Sequence, residues 1–323
     1  MENIRRVLLT GAAGFVGSHV LRYLMEHTNW DIVCLIRLCE AGDLNRLKDF
    51  QENPRISFVY HDLKYELHEL VREKIGDIDC IIHLAANSNV DRSILHPREF
   101  FEDNVMGTVS LLDYCRLYQP NARFINFGTD EVYGATPGDY KFTEDDRFRP
   151  SNPYSGSKVG QWGAGYSYFI TYGLDVISTF TMNIFGAGQA PTKLIPKAIK
   201  LAKERKPMPV FAELKDDKLV GVGSRHWLHV GNVGEALVFL IKNGVKGELY
   251  NIVGMDEKTN EDVVRTVNEL LGYEPLIEYV DFHKTRPGHD RRYAIDGTKM
   301  KEMGWTPSIG FEQGIKDVIE HSK

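Results

Sequence analysis

The chain has 323 residues, 42% of them hydrophobic and 26% charged, with a formal net charge of −6. These proportions describe a globular chain of one large domain or two unequal ones. The acidic balance and the lack of any long Lys/Arg run exclude a nucleic-acid backbone as partner. No stretch reaches the ~18 apolar residues of a membrane span.

In chain order, Val7-Leu8-Leu9 reads as a short buried strand, followed by a glycine turn and a helix from about Phe15 to His27. Further strands are predicted over 31–36, 56–60, 79–84 and 123–127, with helices over 66–74 and 97–118 between them. Each strand is a continuous apolar run, as expected where both faces are covered. Strands alternating with helices predict an α/β fold, a Rossmann-type doubly wound parallel sheet.

After about Asn183 the rhythm changes. Pro191, Pro196, Pro207 and Pro209 crowd together, and 215–218 reads as a solvated loop or hairpin. Residues 248–253 suggest one more strand returning to the sheet, and 261–271 a surface helix. The expected organisation is a dinucleotide-binding domain over 1–183 with about 226–253. A smaller C-terminal substrate-binding lobe, over 184–225 and 254–323, is interleaved with it.

The four cysteines, Cys34, Cys39, Cys80 and Cys115, form no C-x-x-C pair, and Cys34 and Cys80 lie in apolar runs. Buried free thiols in a reducing compartment fit that pattern. The basic start before Val7 imitates a signal peptide, but Gly11, Gly14, Gly17 and His19 interrupt the apolar stretch. A cytoplasmic protein is expected. His226 and His229 are three apart with no accompanying ligand pattern, so no metal site is expected.

The segment Thr10-Gly11-Ala12-Ala13-Gly14-Phe15-Val16-Gly17 is G-x-x-G-x-x-G between a first strand and a helix. The first glycine permits the tight turn, the second a close approach to pyrophosphate, and the third close helix–sheet packing. The helix N-terminus, at Phe15 and Val16, then offers unpaired N–H groups to phosphates. NAD sites usually carry an acid at the end of the second strand, but here that strand ends Ile36-Arg37. Arg37 suits a 2′-phosphate, which favours NADP, with NAD as the alternative if Glu40 or Asp43 bonds the ribose. Asp62-Leu63 suits the adenine edge, and Leu84-Ala85-Ala86 a close backbone contact with the cofactor.

Tyr154 and Lys158 form a Tyr-x-x-x-Lys pair, and Thr129-Asp130-Glu131 precedes it. Tyr154 is the candidate base for a substrate alcohol, with Lys158 one helical turn on to stabilise its phenolate. Alcohol oxidation needs nothing more. An adjacent acid and base point to a further elimination of water, with Glu131 as the base and Asp130 as the acid. Thr129 is expected to orient the oxygen that is oxidised. One acid and one ionised base at a single pH require environments that split their pKa values.

With these residues placed, the chain resembles the extended short-chain dehydrogenase/reductases. Within them it is most similar to the nucleotide-sugar 4,6-dehydratases, whose best-known member acts on dTDP-glucose. The resemblance rests on the glycine turn, His83-Leu84-Ala85-Ala86, Val90-Asp91-Arg92-Ser93 and residues 129–134 and 154–158. It continues through Lys193-Leu194-Ile195-Pro196 and 286–293. Two departures stand out: Ile36 where the glucose enzymes have Asp, and Ala85-Ala86-Asn87-Ser88-Asn89 where they have Ala-Ala-Glu-Ser-His.

The resemblance implies a tightly bound, recycled cofactor and a nucleotide-diphosphate sugar as substrate. It implies Ser88, Asn183, Lys193, Leu194, Arg225, Arg286 and His289 as substrate contacts, with Asn260 a weaker candidate. The product is a 4-keto-6-deoxy or a 5,6-ene sugar nucleotide, according to where the hydride returns. Arg37 tilts the expected substrate toward UDP-GlcNAc, with dTDP- or UDP-glucose as alternatives. Rival functions are a 4-epimerase or decarboxylase on the same fold, and a non-catalytic NADP-sensing protein. The helices over 97–118 and 152–172 resemble a four-helix homodimer interface, to which Tyr166, Tyr168 and Phe169 would contribute.

Overall fold

The structure, a computed structural model, describes residues 4–38, 42–215, 218–281 and 292–322. The first half runs β1 (Arg6–Thr10), α1 (Phe15–His27), β2 (Asp31–Ile36), β3 (Ile56–Tyr60), α2 (Glu69–Ile75), β4 (Cys80–His83), α3 (Val90–Leu95), α4 (Pro97–Phe101), α5 (Gly107–Tyr118) and β5 (Arg123–Thr129). Next come α6 (Pro153–Tyr172), β6 (Val176–Thr181), β7 (Asn183–Phe185), α7 (Leu194–Lys203), β8 (Met208–Lys215), β9 (Lys218–Gly221) and β10 (Ser224–His229). The chain closes with α8 (Val230–Asn243), β11 (Leu249–Ile252), β12 (Glu257–Thr259), α9 (Asn260–Leu270), β13 (Ile277–Asp281), α10 (Thr298–Glu302) and α11 (Phe311–His321).

Among the described residues the main sheet has seven parallel strands in the order β11-β6-β5-β4-β1-β2-β3. Its apolar runs are continuous because alternate residues bury on opposite faces. Val7, Leu9, Ile32, Cys34, Ile82 and Ile125 pack under α1 and α8, whereas Leu8, Val33, Leu35, Ile81 and Phe124 pack under α2 and α5. A strand with two covered faces has no polar side to show, which is what the sequence pattern registers. The strand order reverses between β1 and β4, and such a switch point opens a crevice at the C-terminal strand ends.

The predicted helix over 97–118 is three pieces, since a π-helical turn at Glu102–Met106 separates α4 from α5. The strand β6, Val-Ile-Ser-Thr-Phe-Thr, escapes sequence reading because Ser178, Thr179 and Thr181 interrupt its apolar pattern, yet all six residues are buried. The predicted returning strand is β11, beside β6. β8 and β9 pair antiparallel up to the register Lys215–Lys218, and residues 216–217 of the predicted loop or hairpin lie outside the described residues.

Two small sheets, β12-β10-β7 and β13-β8-β9, lie outside the main one. Their core joins Phe185, Ile195, Trp227, Val263 and Phe311 under α7, α9 and α11. A hollow of about 460 Å³ lined by Ile4, Arg5, His27 and Asp31 opens at the N-terminal strand ends, away from every candidate site residue. Among the described residues no helix is long and apolar enough to cross a membrane.

Candidate active site

The glycine turn follows β1 at the switch point. Gly11 has φ +73°, and a Cβ there would stand 2.9 Å from the Ala85 nitrogen. A Cβ on Gly17 would stand 2.0 Å from the Gly11 carbonyl oxygen, so α1 approaches the turn as closely as backbone allows. Gly14 begins α1 with no capping side chain, which leaves first-turn N–H groups for an anion. Phe15 and Val16 are half-buried in that first turn. These features fit a dinucleotide pyrophosphate.

The turn is tied to β4. The His83 imidazole contacts the Thr10 hydroxyl at 2.9 Å through Nδ1 and the Thr108 hydroxyl at 2.9 Å through Nε2. Burial, helped by the Lys158 charge, pushes His83 down to about 3, so the ring is neutral. The Ala85 N–H donates to the Thr10 hydroxyl at 3.0 Å, fixing the start of the half-buried segment Leu84-Ala85-Ala86. Asn104, fully buried in the π turn, accepts from the Asn87 N–H at 2.7 Å and donates to the Asn87 carbonyl at 3.0 Å. It also donates to the Ser157 hydroxyl of α6 at 2.8 Å. Sequence reading missed this clamp, because a buried asparagine in a helical stretch looks like any other.

β5 ends at Thr129, which caps a 3₁₀ turn over Asp130–Tyr133. Thr129 donates to Asp130 Oδ1 at 3.2 Å, while Asp130 Oδ2 is buried without a hydrogen-bond partner. Burial first, and the Glu131 charge second, raise Asp130 to about 7, while the Arg225 charge and the Thr129 bond hold it back. The two neighbouring carboxyls thus sit in different environments: Asp130 is 2% exposed and Glu131 is half-buried.

α6 begins with a capping box, in which Asn152 accepts from the Ser155 N–H at 2.9 Å and Ser155 Oγ accepts from the Asn152 N–H at 3.2 Å. The same Asn152 donates to Glu131 Oε2 at 3.2 Å, so one residue starts the helix and holds the candidate base. The Asn-Pro start was a legible helix signal, but its second bond was not.

Tyr154 is buried, with its ring edge-on to Phe100. Burial and the Glu131 charge raise the phenol above its ordinary value, and the Thr129 hydroxyl within hydrogen-bonding reach partly offsets them. Lys158 is 4% exposed, and burial lowers its ammonium to about 7. Its hydrogen bonds go to the Phe127 carbonyl, at 2.7 Å, and to Gln161 Oε1, not to Tyr154. Gln161 is oriented by donating to Asn126 Oδ1 at 2.7 Å.

The other candidates are scattered. Arg225 of β10 stacks over the Tyr293 ring at 4.5 Å, donates to the Ser224 carbonyl at 2.7 Å, and acts electrostatically on Asp130. Asn183 is half-buried opposite Trp227, Ser88 is exposed, and Lys193 is exposed before α7, where Leu194 packs on the core. Asn260 donates to the Val222 carbonyl at 3.3 Å and serves the start of α9. Arg286, His289 and Glu40 lie outside the described residues. Among those described, no cluster of His, Cys, Asp or Glu could hold a metal ion.

Arg37 differs from its sequence reading. Its guanidinium makes a two-pronged bond with Asp103, at 2.7 and 3.1 Å, and reaches Asp62 Oδ1 at 3.4 Å. It is a paired charge, and the inference from Arg37 to UDP-GlcNAc loses its premise.

The comparisons agree with the geometry. The family model for GDP-mannose 4,6 dehydratase matches residues 8–318. The dTDP-glucose 4,6-dehydratase of Salmonella typhimurium is 38% identical over 98% of this chain and 92% of its own. The low-salt glycan biosynthesis protein Agl12 of Haloferax volcanii is 40% identical over 98% and 97%. The crystal structure of a Bacillus anthracis dTDP-glucose 4,6-dehydratase in complex with NAD superposes with a TM-score of 0.86 at 36% identity, covering 98% of this chain and 96% of that one. Two of these three are named for dTDP-glucose, and none of the three lends support to the expected UDP-GlcNAc.

Proposed function

Because the chain belongs to the nucleotide-sugar dehydratase family described by the GDP-mannose 4,6 dehydratase model, a group of nicotinamide-dependent lyases, we propose that it dehydrates dTDP-glucose across C5 and C6. One observation carries the reading: two adjacent carboxyls, one buried and raised to about 7, lie beside the Tyr154 phenol. Oxidation alone has no use for them.

The cofactor is NAD, as in the Bacillus anthracis relative, held by the glycine turn with Leu84, Ala85, Ala86, Asp62 and Leu63; when bound it accepts electrons from the sugar and later returns them. Tyr154 takes the C4 hydroxyl proton, with Thr129 orienting that oxygen. Lys158 is assigned, from the Tyr-x-x-x-Lys pattern, to supply a positive charge that would favour the phenolate against its burial. The C4 ketone acidifies the C5 proton, and Glu131 removes it. Asp130 gives its proton to the C6 oxygen, which leaves as water. A diphosphate subsite of Arg225, Asn183, Lys193, Leu194 and Ser88, with Asn260 a weaker member, is assigned from the resemblance. Arg286 and His289 are assigned there from the resemblance.

The interleaved domain division remains our reading, with β11 and α8 serving the dinucleotide part. Cys34, Cys80 and Cys115 are free and buried, which supports a reducing, cytoplasmic setting. Exposed Met106 and Leu117 of the 97–118 stretch, with Tyr166 and Ile170 of α6, support pairing of two copies.

The test incubates the protein with dTDP-glucose, UDP-glucose and UDP-GlcNAc in D2O and follows the sugars by NMR. Water loss from dTDP-glucose, abolished in Glu131→Gln, is expected. A C4 epimer formed equally well by Glu131→Gln would establish the epimerase instead.

A further inference from the structure

Outside the chemistry, a dense group of charges lies at the tip of β2. Arg37 and Lys64 face Asp62, Asp103 and Glu102, two cations against three carboxylates. Asp103 is the hub. Its side chain is 8% exposed, it takes both guanidinium prongs of Arg37, and its Oδ1 is 3.2 Å from the Lys64 ammonium. Burial pushes Asp103 upward, but the bonds from Arg37 and Lys64 outweigh it, and the carboxyl sits below its ordinary value.

The location gives this pairing a consequence. The C-terminal end of β2 is where a dinucleotide's adenosine ribose rests in this fold. β2 offers no acid there, and the carboxylates come instead from the end of β3 and from the π turn. We propose that Asp103 sets the dinucleotide preference: by engaging Arg37 it makes the β2 tip unfit for a 2′-phosphate and selects NAD over NADP.

A 2′-phosphate would bring roughly −1.5 to −2 charges into a group already short of cations. To bind Arg37 it would have to strip the two-pronged guanidinium from Asp103 and leave a largely buried carboxylate with Lys64 as its remaining cation, which is costly. A 2′-hydroxyl needs neither change, because it can donate to the Asp62 carboxylate as that group stands. Asp103 also precedes Asn104, so a disturbed Arg37 bridge would pull on the clamp holding Asn87 and Ser157.

The inference rests on the reading that the glycine turn holds a nicotinamide dinucleotide. Protein as purified is equilibrated with equimolar NAD and NADP, without sugar nucleotide, then desalted. The retained dinucleotides are separated by anion-exchange chromatography. Wild type is expected to retain NAD over NADP by about tenfold or more, and Asp103→Asn to shift the ratio about tenfold toward NADP. Arg37→Gln added to Asp103→Asn should reverse most of that gain. A wild type that retains both equally overturns the inference, as does a ratio unmoved in folded Asp103→Asn. Should that variant not fold, Asp103→Thr and the wild-type ratio decide. Retention of neither dinucleotide sinks the inference and the proposed function together, whereas an unmoved ratio with dehydration intact sinks the inference alone.

Discussion

Asp130 and Lys158 are ionisable groups buried without full compensation, and burial moves both toward neutral pH from opposite sides. The acid must enter the reaction protonated and the lysine charged, so both useful states are lost as pH rises through about 7. An alkaline limb in kcat/KM near that pH is therefore expected, measured with dTDP-glucose across pH 5.5 to about 9. Stability follows by linkage. Folded Asp130 keeps its proton up to about 7, while the unfolded side chain releases it near the ordinary 3.8. Between those values the native state binds more protons, so this stability contribution is lost as pH rises. Lys158 has the opposite sign: its contribution grows from about 7 toward 10.5. Asp130→Asn should match wild type in Tm near pH 4. It should exceed it at pH 8 by the equivalent of roughly 4 kcal/mol, while dehydrating poorly. A Tm difference independent of pH would contradict the assignment.

At the scale of elements, the site depends on how α6 starts and how α1 meets its turn. Asn152 caps α6 and holds Glu131, and the two duties can be separated. Asn152→Asp keeps a capping oxygen but sets a carboxylate against Glu131. Asn152→Ala loses the cap, at a cost of about 1 kcal/mol. The Asp variant is expected to unfold close to wild type yet lose more activity than the Ala variant loses stability, by paired Tm and turnover measurements. Gly17 is limited by space: a Cβ 2.0 Å from the Gly11 carbonyl must push α1 off the turn. Gly17→Ala should lower the retained dinucleotide several-fold on desalting and cost about 1–3 kcal/mol, as overpacking does.

At the scale of the whole molecule, the exposed apolar residues of α6 bear on assembly. Tyr166 and Ile170 are 44% and 61% exposed, one helical turn apart, and Tyr166 is braced by stacking on Trp162. Tyr168 and Phe169, also predicted for an interface, pack partly against the monomer's own core. If two copies pair through this face, light scattering gives about twice the chain mass. Ile170→Glu should shift it toward one, since a charge on a shared apolar face is desolvated. An unchanged mass would place the interface elsewhere.

Much of this was legible in one dimension. Strands with two covered faces write unbroken apolar runs, and the glycine turn needs specific backbone conformations, so β1 to β5, α1 and the Rossmann-type sheet could be read directly. The adjacency of Asp130 to Glu131, and of Tyr154 to Lys158, is local and equally visible. What the sequence could not state is pairing across distance. Arg37 looked like a phosphate ligand because Asp103, 66 positions away, is brought to it only by the packing of the π turn against the β2 tip. Likewise Lys158 turns to Phe127, and Asn152 to Glu131, through contacts fixed by how α6 lies on β5. The sequence by itself determined which groups exist and which lie side by side. Folding decided which charges are buried and which are already satisfied, because desolvation and ion pairing depend on neighbours in space rather than along the chain.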